Sequence, residues 1–295
     1  MGLWAYFIFT IISHFLVLPY TIKATSSCDF FTGTWVIDSS YPLYNSSICP
    51  FIEREFSCEK NGRSDLLYTK YKWQPFGCDL QRLDGVDFLE RFRGKSIMYV
   101  GDSLSRNQWQ SLTCMIHSSV PNAQYTIARE GDVSIFTFTD YEVKVMLDRN
   151  VYLVDVVREN IGRVLKLNSI EGSKLWKGID MLIFNTWHWW NRRGPTQPGT
   201  LWNEPSARSC VREEEPVSGY TYPGGLPPAV DVLKGVLRTM KMPVKLLDIT
   251  LLSLLRKDGH PSIYGLGGST GMDCSHWCLA GVPDTWNEIL YNLIL

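Results

Sequence analysis

Charge is scarce in this sequence. Only 20% of its 295 residues are Asp, Glu, Lys or Arg, and 29 basic against 30 acidic side chains leave a formal net charge of -1. No Lys/Arg run is longer than two residues. A surface that tracks nucleic-acid phosphates therefore has no basis here, and no nucleic-acid partner is expected. CxxC and HExxH spacings are also missing. A zinc site from His260, Asp273 and His276 is conceivable but has no ligand spacing behind it, so no metal is expected. No CoA or nucleotide motif, internal repeat or low-complexity tract is visible. What fills the chain instead is apolar: 45% hydrophobic residues, with 11 Trp, 14 Tyr and 13 Phe. That composition excludes disorder and is enough for one large domain, or a domain with a small lobe, around a real core.

Eight cysteines stand at 28, 49, 58, 78, 114, 210, 274 and 278. An even count suits a disulfide framework in an oxidising compartment, although eight cysteines allow 105 pairings. Buried free thiols in a cytosolic protein are the alternative, and the N-terminus argues against them. Residues 3–18 are apolar apart from Thr10, Ser13 and His14. The run is slightly short for a membrane span of about 20 residues. It is slightly long for a signal-peptide core of about 7–15. A charged n-region is absent, while Ala24-Thr25-Ser26 offers a cleavage site. Signal anchor and cleaved signal peptide both stay open, and both put residue 28 onward outside the cytosol. The sequon Asn45-Ser46-Ser47 would be glycosylated there.

Residues 28–80 read as short strands and loops of a disulfide-stapled lobe. Residues 83–95 have helical spacing and stop at Gly94. The wholly apolar run 96–100 reads as a strand buried on both faces, followed by a helix over 104–117. Strands are expected at 133–139, 141–147 and 151–157, as a surface excursion over the site. Further buried strands are expected at 180–185 and 244–250, with helices at 226–241 and from Asp284 to the end.

Ser103, in Gly101-Asp102-Ser103, falls between the C-terminal end of a buried strand and the N-terminus of a helix. Open α/β sheets place their chemistry there, and helix N–H groups favour developing negative charge. The plain alternative is an N-cap serine. In Asp273-Cys274-Ser275-His276, three-residue spacing can put Asp and His on one face of a turn. A base needs this arrangement, since a carboxylate must orient the imidazole and stabilise its charged form. An incidental Asp and His on a surface loop is the alternative.

The strand-GDS-helix unit near the start of the catalytic region and DxxH near its end resemble the SGNH/GDSL hydrolase superfamily. VGDSLSRNQWQSL, FNTWHWWNRRGP, PVSGYTYPGGLPPAV, LLDIT, RKDGHPSIYG and MDCSHWCLAGVPDTWNEILY resemble the plant trichome birefringence-like family more specifically. CDFFTGTWVIDSSYPLYNSSICPFIEREFSCEKNGR does so in the lobe. The resemblance implies an α/β fold, a three-layer SGNH/GDSL-like parallel sheet with a small disulfide-rich N-terminal lobe. Residues 1–27 would be the anchor or signal peptide, 28–82 the lobe and 83–295 the catalytic domain. It implies Ser103 as nucleophile, His276 as base and Asp273 as its orienter. The Ser103 N–H would form part of an oxyanion hole, with Asn185 or Arg106 as side-chain donors. Asn185 as a strand-end turn residue and Arg106 as a helix-surface salt bridge stay open.

Trp187, Trp189 and Trp190 would stack on sugar rings or sit in the core, and His188 is a weaker substrate contact. The family pattern implies the disulfides Cys58–Cys278 and Cys210–Cys274. The implied activity is O-acetylation of a plant cell-wall polysaccharide (xylan, mannan, xyloglucan or pectin) through an acetyl-serine, with no bound cofactor and acetyl-CoA as one candidate donor. The alternatives are an acetylesterase with the same residues and a catalytically dead carbohydrate-binding variant. The implied location is the Golgi membrane with a lumenal catalytic domain, or else secretion to the wall.

The resemblance breaks at one place. Family members carry a block of roughly 50–60 residues, an ordinary helix-plus-strand length, after GPTQP. It reads as a Trp-rich stretch, a long helix and a strand ending in a serine-proline-histidine loop. Here Gly199-Thr200-Leu201-Trp202-Asn203-Glu204 follows Pro198 at once. An internal deletion of this kind removes a strand and its covering helix but leaves Ser103, Asp273 and His276 in the chain; a poorly stable product is the expectation, with its activity or inactivity left open.

Overall fold

A computed structural model describes residues 28–190, 198–242, 244–266 and 272–295. The apolar run 3–18 and the Ala24-Thr25-Ser26 site lie outside them. Among the described residues, no helix is long and apolar enough to cross a membrane.

The N-terminal lobe is built on an antiparallel pair, β1 (Gly33–Ile37) and β2 (Tyr71–Pro75). It is too small to bury much by itself and is fixed by cross-links, with Cys28–Cys78 inside it and Cys49–Cys114 and Cys58–Cys278 leading out of it. Trp73 is fully buried and Trp35 Nε1 donates to the Leu252 carbonyl at 2.9 Å, so the lobe shares a core with the C-terminal region.

The larger part runs α1 (Gly85–Arg91), β3 (Ser96–Gly101), α2 (Ser103–Ser119), β4 (Tyr125–Glu130), β5 (Val133–Phe138), β6 (Val143–Asp148), β7 (Asp155–Glu159), β8 (Gly162–Lys166) and β9 (Met181–Asn185). It continues with α3 (Trp187–Trp190), α4 (Pro198–Leu201), α5 (Ala229–Thr239), α6 (Thr250–Leu254) and α7 (Val282–Ile294). One five-stranded sheet has the order β4-β5-β6-β3-β9. Its central strand β3 is parallel to β6 and β9, whereas β4, β5 and β6 form an antiparallel meander. The α/β class holds, with a mixed sheet instead of a wholly parallel one.

β3 explains why both faces must be covered. Ile97 and Tyr99 point into a core with Phe88, Leu112, Ile116 and Tyr291 of α1, α2 and α7. Met98 and Val100 point the other way, against Val133, Ile135, Leu153, Trp176 and Ile179. The period-2 alternation of a strand makes any apolar run of this kind two-sided.

Two expectations are corrected. Residues 133–147 are part of the central sheet and not an excursion over the site, because Phe136, Phe138, Val143 and Val145 fill the core. Of the strands in this region only β7 and β8 stand apart from that sheet, as a separate antiparallel hairpin. Residues 244–250 form no strand among the described residues. They run as coil into α6, held by Lys234–Asp248 at 3.1 Å and by Lys245 Nζ donating to the Leu293 carbonyl at 2.7 Å. The physical reason is the missing neighbour. The sheet ends at β9 among the described residues, so no strand there lies beside this segment to complete a ladder.

Candidate active site

β3 ends at Gly101 and α2 starts at Ser103. A Cβ on Gly101 would meet the Asn185 carbonyl oxygen at 2.2 Å and Ser105 Oγ at 2.4 Å, so only glycine lets the chain turn this close to β9. The helix cap is Asp102, whose Oδ1 accepts the Leu104 N–H at 2.8 Å. Ser103 is therefore not the N-cap. It is the first helical residue, where N–H groups lack intrahelical carbonyls and the dipole is positive.

The opposite side of the site is the loop before α7. Asp273 and Ser262 exchange two backbone hydrogen bonds, at 2.7 and 2.9 Å. Asp273 Oδ1 accepts the N–H groups of Ser275 at 2.9 Å and His276 at 3.1 Å, which folds the chain back over its own carboxylate. Its Oδ2 lies 2.6 Å from His276 Nδ1. A carboxylate only accepts, so Nδ1 carries the proton and Nε2 keeps its lone pair. That lone pair faces the Ser103 hydroxyl at 2.6 Å. Burial pushes the Asp273 carboxyl up. The hydrogen bond and charge of His276 and the N–H groups of Ser275 and His276 outweigh it and hold the group below its ordinary value. The three residues form a continuous hydrogen-bonded chain from carboxylate to imidazole to hydroxyl.

The loop is anchored from several directions. Cys274 is bonded to Cys210 and Cys278 to Cys58, the pairs the family resemblance implies. His260 Nδ1 donates to the His276 carbonyl at 2.8 Å, and its ring stacks on Trp277 at 4.1 Å. Burial lowers the His260 pKa and favours the neutral ring. His260 is thus a support beneath the loop, and no cluster able to hold a metal exists among the described residues. Sequence reasoning missed two contacts. The Phe56 ring lies 5.4 Å from the His276 ring, and the Asn107 side chain bonds both backbone groups of Trp277. The Cys58–Cys278 pairing carries a weak signal for Phe56, since it draws residues 56–58 toward the loop. Asn107 could have been noticed only as the residue one helical turn after Ser103.

The remaining candidates fall differently. Arg106 turns to the lobe: Nη1 pairs with Glu53 at 2.8 Å and Nη2 with Glu55, while its buried Nε has no partner. Its terminal nitrogens are thus engaged as the salt-bridge reading has it. Asn185 pairs with Gly101 at the end of β9, beside the serine strand, and its side chain is half-buried. The Tyr152 ring packs edge-on against Trp189 at 6.1 Å and Trp190 at 5.6 Å, and Trp190 Nε1 donates to Thr186 Oγ1 at 3.1 Å. Trp190 is 45% exposed beyond the same end of the sheet. The side chains of Trp187 and His188 lie outside the described residues. Asn45 is exposed, and its Oδ1 accepts from the N–H and hydroxyl of Ser47.

This arrangement has relatives. Residues 80–201 and 195–293 match the PC-Esterase family, described as a GDSL/SGNH-like acyl-esterase family found in Pmr5 and Cas1p. Residues 26–79 match the PMR5 N-terminal domain. The chain is 53% identical to Protein trichome birefringence-like 41 of Arabidopsis thaliana, over 95% of this chain and 94% of that protein. It is 44% identical to Protein trichome birefringence-like 38 of the same organism, over 91% and 84% respectively. The first alignment spans 334 positions against the chain's 295 residues, so at least 39 positions of that relative (334 less 295) have no counterpart here. The two PC-Esterase stretches meet at 195–201, where the sequence shows its junction.

Proposed function

Because the chain belongs to the trichome birefringence-like family, and its catalytic region to a GDSL/SGNH-like acyl-esterase family, we propose that it is an O-acetyltransferase for a plant cell-wall polysaccharide. The observation that carries this reading is the hydrogen-bonded chain Asp273–His276–Ser103 at the N-terminus of α2. Ser103 Oγ attacks the carbonyl carbon of an activated acetyl donor and gives its proton to His276 Nε2, while ionised Asp273 stabilises the imidazolium. The oxyanion forms at the helix N-terminus, facing the Ser103 N–H, with the Asn185 amide as a second donor. Each such donor contributes about 3–4 kcal/mol to the barrier reduction. Collapse expels the leaving group, which takes the proton back from His276, and acetyl-Ser103 remains. A sugar hydroxyl then gives its proton to Nε2 and attacks the ester carbonyl, and as the bond to Oγ breaks His276 returns that proton to Ser103.

Trp190 and Tyr152, at the same end of the sheet, supply apolar ring faces for a pyranose. Four disulfides suit an oxidising lumen, and we place the protein in the Golgi lumen, tethered through its N-terminal segment. The donor is an activated acetyl ester or thioester such as acetyl-CoA.

A second reading has support in the acyl-esterase description of the matched family: water replaces the sugar as acceptor. One experiment separates the readings. The lumenal part is exposed to an activated acetyl ester and Ser103 is followed by mass spectrometry, with Ser103→Ala as control. An acetyl adduct that xylan, mannan, xyloglucan or pectin oligomers discharge into acetylated sugar supports the transferase. Discharge only to free acetate supports the esterase. A folded protein with no adduct defeats both and leaves a carbohydrate-binding variant.

A further inference from the structure

Asn107 lies one turn after Ser103 on α2 and is completely buried. Its Oδ1 accepts the Trp277 N–H at 2.9 Å, and its Nδ2 donates to the Trp277 carbonyl at 3.1 Å. Both backbone groups of one residue are therefore held by one planar amide, and that residue is the immediate neighbour of His276. Side chains four apart on a helix share a face, so Asn107 stands on the same side as the Ser103 hydroxyl. The rigid path from Ser103 to His276 comprises one helical turn, one amide and one peptide unit.

The other ties of the loop reach α2 indirectly, through the lobe, which Cys49–Cys114 and Arg106 join to that helix, and through α7, where Asp284 accepts from Ser111 Oγ at 2.6 Å. Cys274 is bonded to Cys210, outside α2 and between α4 and α5, and Cys278 is bonded to the N-terminal lobe. Phe56 packs on the imidazole ring from the lobe as well. Asp273 orients the ring but belongs to the same loop and moves with it. Each of these routes passes through a second element before it reaches α2. Asn107, a side chain of the serine helix, bonds the loop's backbone directly, at both the N–H and the carbonyl of the residue after His276.

We infer that Asn107 is a positioning residue that sets the Ser103–His276 distance by clamping the Trp277 backbone to the serine helix. The inference rests on the proposed role of Ser103 as nucleophile and His276 as its base. A displacement of about 1 Å at a reacting pair typically costs on the order of 100-fold in rate.

The test uses the full disulfide-bonded chain and a fluorophosphonate. This probe forms a P–O bond to Ser103 Oγ and releases fluoride, and the hydroxyl proton passes to His276. Asn107→Ala is compared with Leu112→Ala, a buried change on the same helix that touches neither the loop nor the serine. Asn107→Asp, which keeps the acceptor for the Trp277 N–H, is the second variant should the alanine form not fold. Expected is labelling about 100-fold slower in the Asn107 variant, with loss of the pH inflection that a working base imposes, while Leu112→Ala labels within a few-fold of the parent. Labelling of the Asn107 variant at the parent rate with the parent's pH profile overturns the inference. If the parent itself is not labelled, the proposed function fails, and hydrogen exchange at the Trp277 amide decides this point alone. Rapid exchange confined to the Asn107 variant supports the clamp, and unchanged protection overturns it.

Discussion

Ser103 Oγ and His276 Nε2 lie 2.6 Å apart, although 173 residues separate them in the chain. The contact has chemical meaning only if the imidazole presents a lone pair to the hydroxyl, and Asp273 at Nδ1 enforces that tautomer. Asp273→Asn is isosteric but can donate to Nδ1, which reverses the tautomer. The rate of Ser103 acetylation is expected to fall by about 10³–10⁴-fold, with little change in thermal stability. Burst kinetics with an activated acetyl ester measure it. A loss of less than tenfold would show that His276 needs no carboxylate here.

The two ends of this site were legible in the sequence for different reasons. Ser103 was marked by the apolar run before it and the helical spacing after it, both local signals. His276 and Asp273 were marked by their spacing and by flanking cysteines. What stayed hidden were the long-range partners outside the Ser103, His276 and Asp273 set and the two disulfides that the resemblance implies. Arg106 reads equally well as an oxyanion donor or a surface ion pair until Glu53 and Glu55 are placed beside it. Asn107 reads as an ordinary helix residue until Trp277 arrives from 170 positions away. Residues 244–250 have a strand's composition but no neighbour to pair with, and a strand cannot exist without its ladder. Residues 133–147 alternate as strands should, yet alternation does not say which sheet they join.

The Cys210–Cys274 bond closes a 64-residue separation directly beside Asp273. Cys210 N–H also donates to Cys274 Sγ at 3.2 Å. Paired Cys210→Ser and Cys274→Ser replacements are expected to cost about 2–4 kcal/mol of stability. At a temperature where this double variant remains folded, its acetylation rate should drop at least tenfold, because the residue that follows Asp273 within the DxxH turn is released. Chemical denaturation together with single-turnover kinetics checks both parts. Full activity in the folded variant would assign the bond to stability alone.

A pH effect is expected from α7, away from the site. Glu288 is buried, with Tyr41 Oη 3.1 Å from both carboxylate oxygens. Burial and neighbouring Asp284 push its pKa up to about 8, against the opposing effects of the Tyr41 hydroxyl, Arg82 and Lys72. The folded state then holds a proton that the unfolded chain releases near 4.5. Stability from this group is full below about 4.5 and declines as pH rises toward about 8. Asp284, raised to about 6 by burial, acts in the same sense lower down. Urea denaturation across this range should show stability falling with pH less steeply in Glu288→Gln than in the parent. Equal slopes in the two proteins would show that Glu288 is not protonated in the folded state.

Part of the apolar surface of α5 is uncovered. Within its 11 residues only Val230 is buried, whereas Val232 is 68% and Val236 53% exposed, and Met240 just beyond is 46% exposed. A helix whose apolar side faces water has lost what it packs against. The two PC-Esterase stretches meet at 195–201, and the block that the family pattern leads one to expect there would supply the cover. Val236→Glu should therefore change the stability of this chain by no more than about 0.5 kcal/mol, the range of ordinary surface changes, and should raise its solubility. The same substitution should be clearly destabilising once the block from Protein trichome birefringence-like 41 is inserted after Pro198. That insertion alone should raise the unfolding midpoint and give residues 244–249 a strand partner, which amide exchange would report as new protection. If Val236→Glu destabilises both forms equally, α5 is already covered in this chain and the exposed face does not come from the deletion.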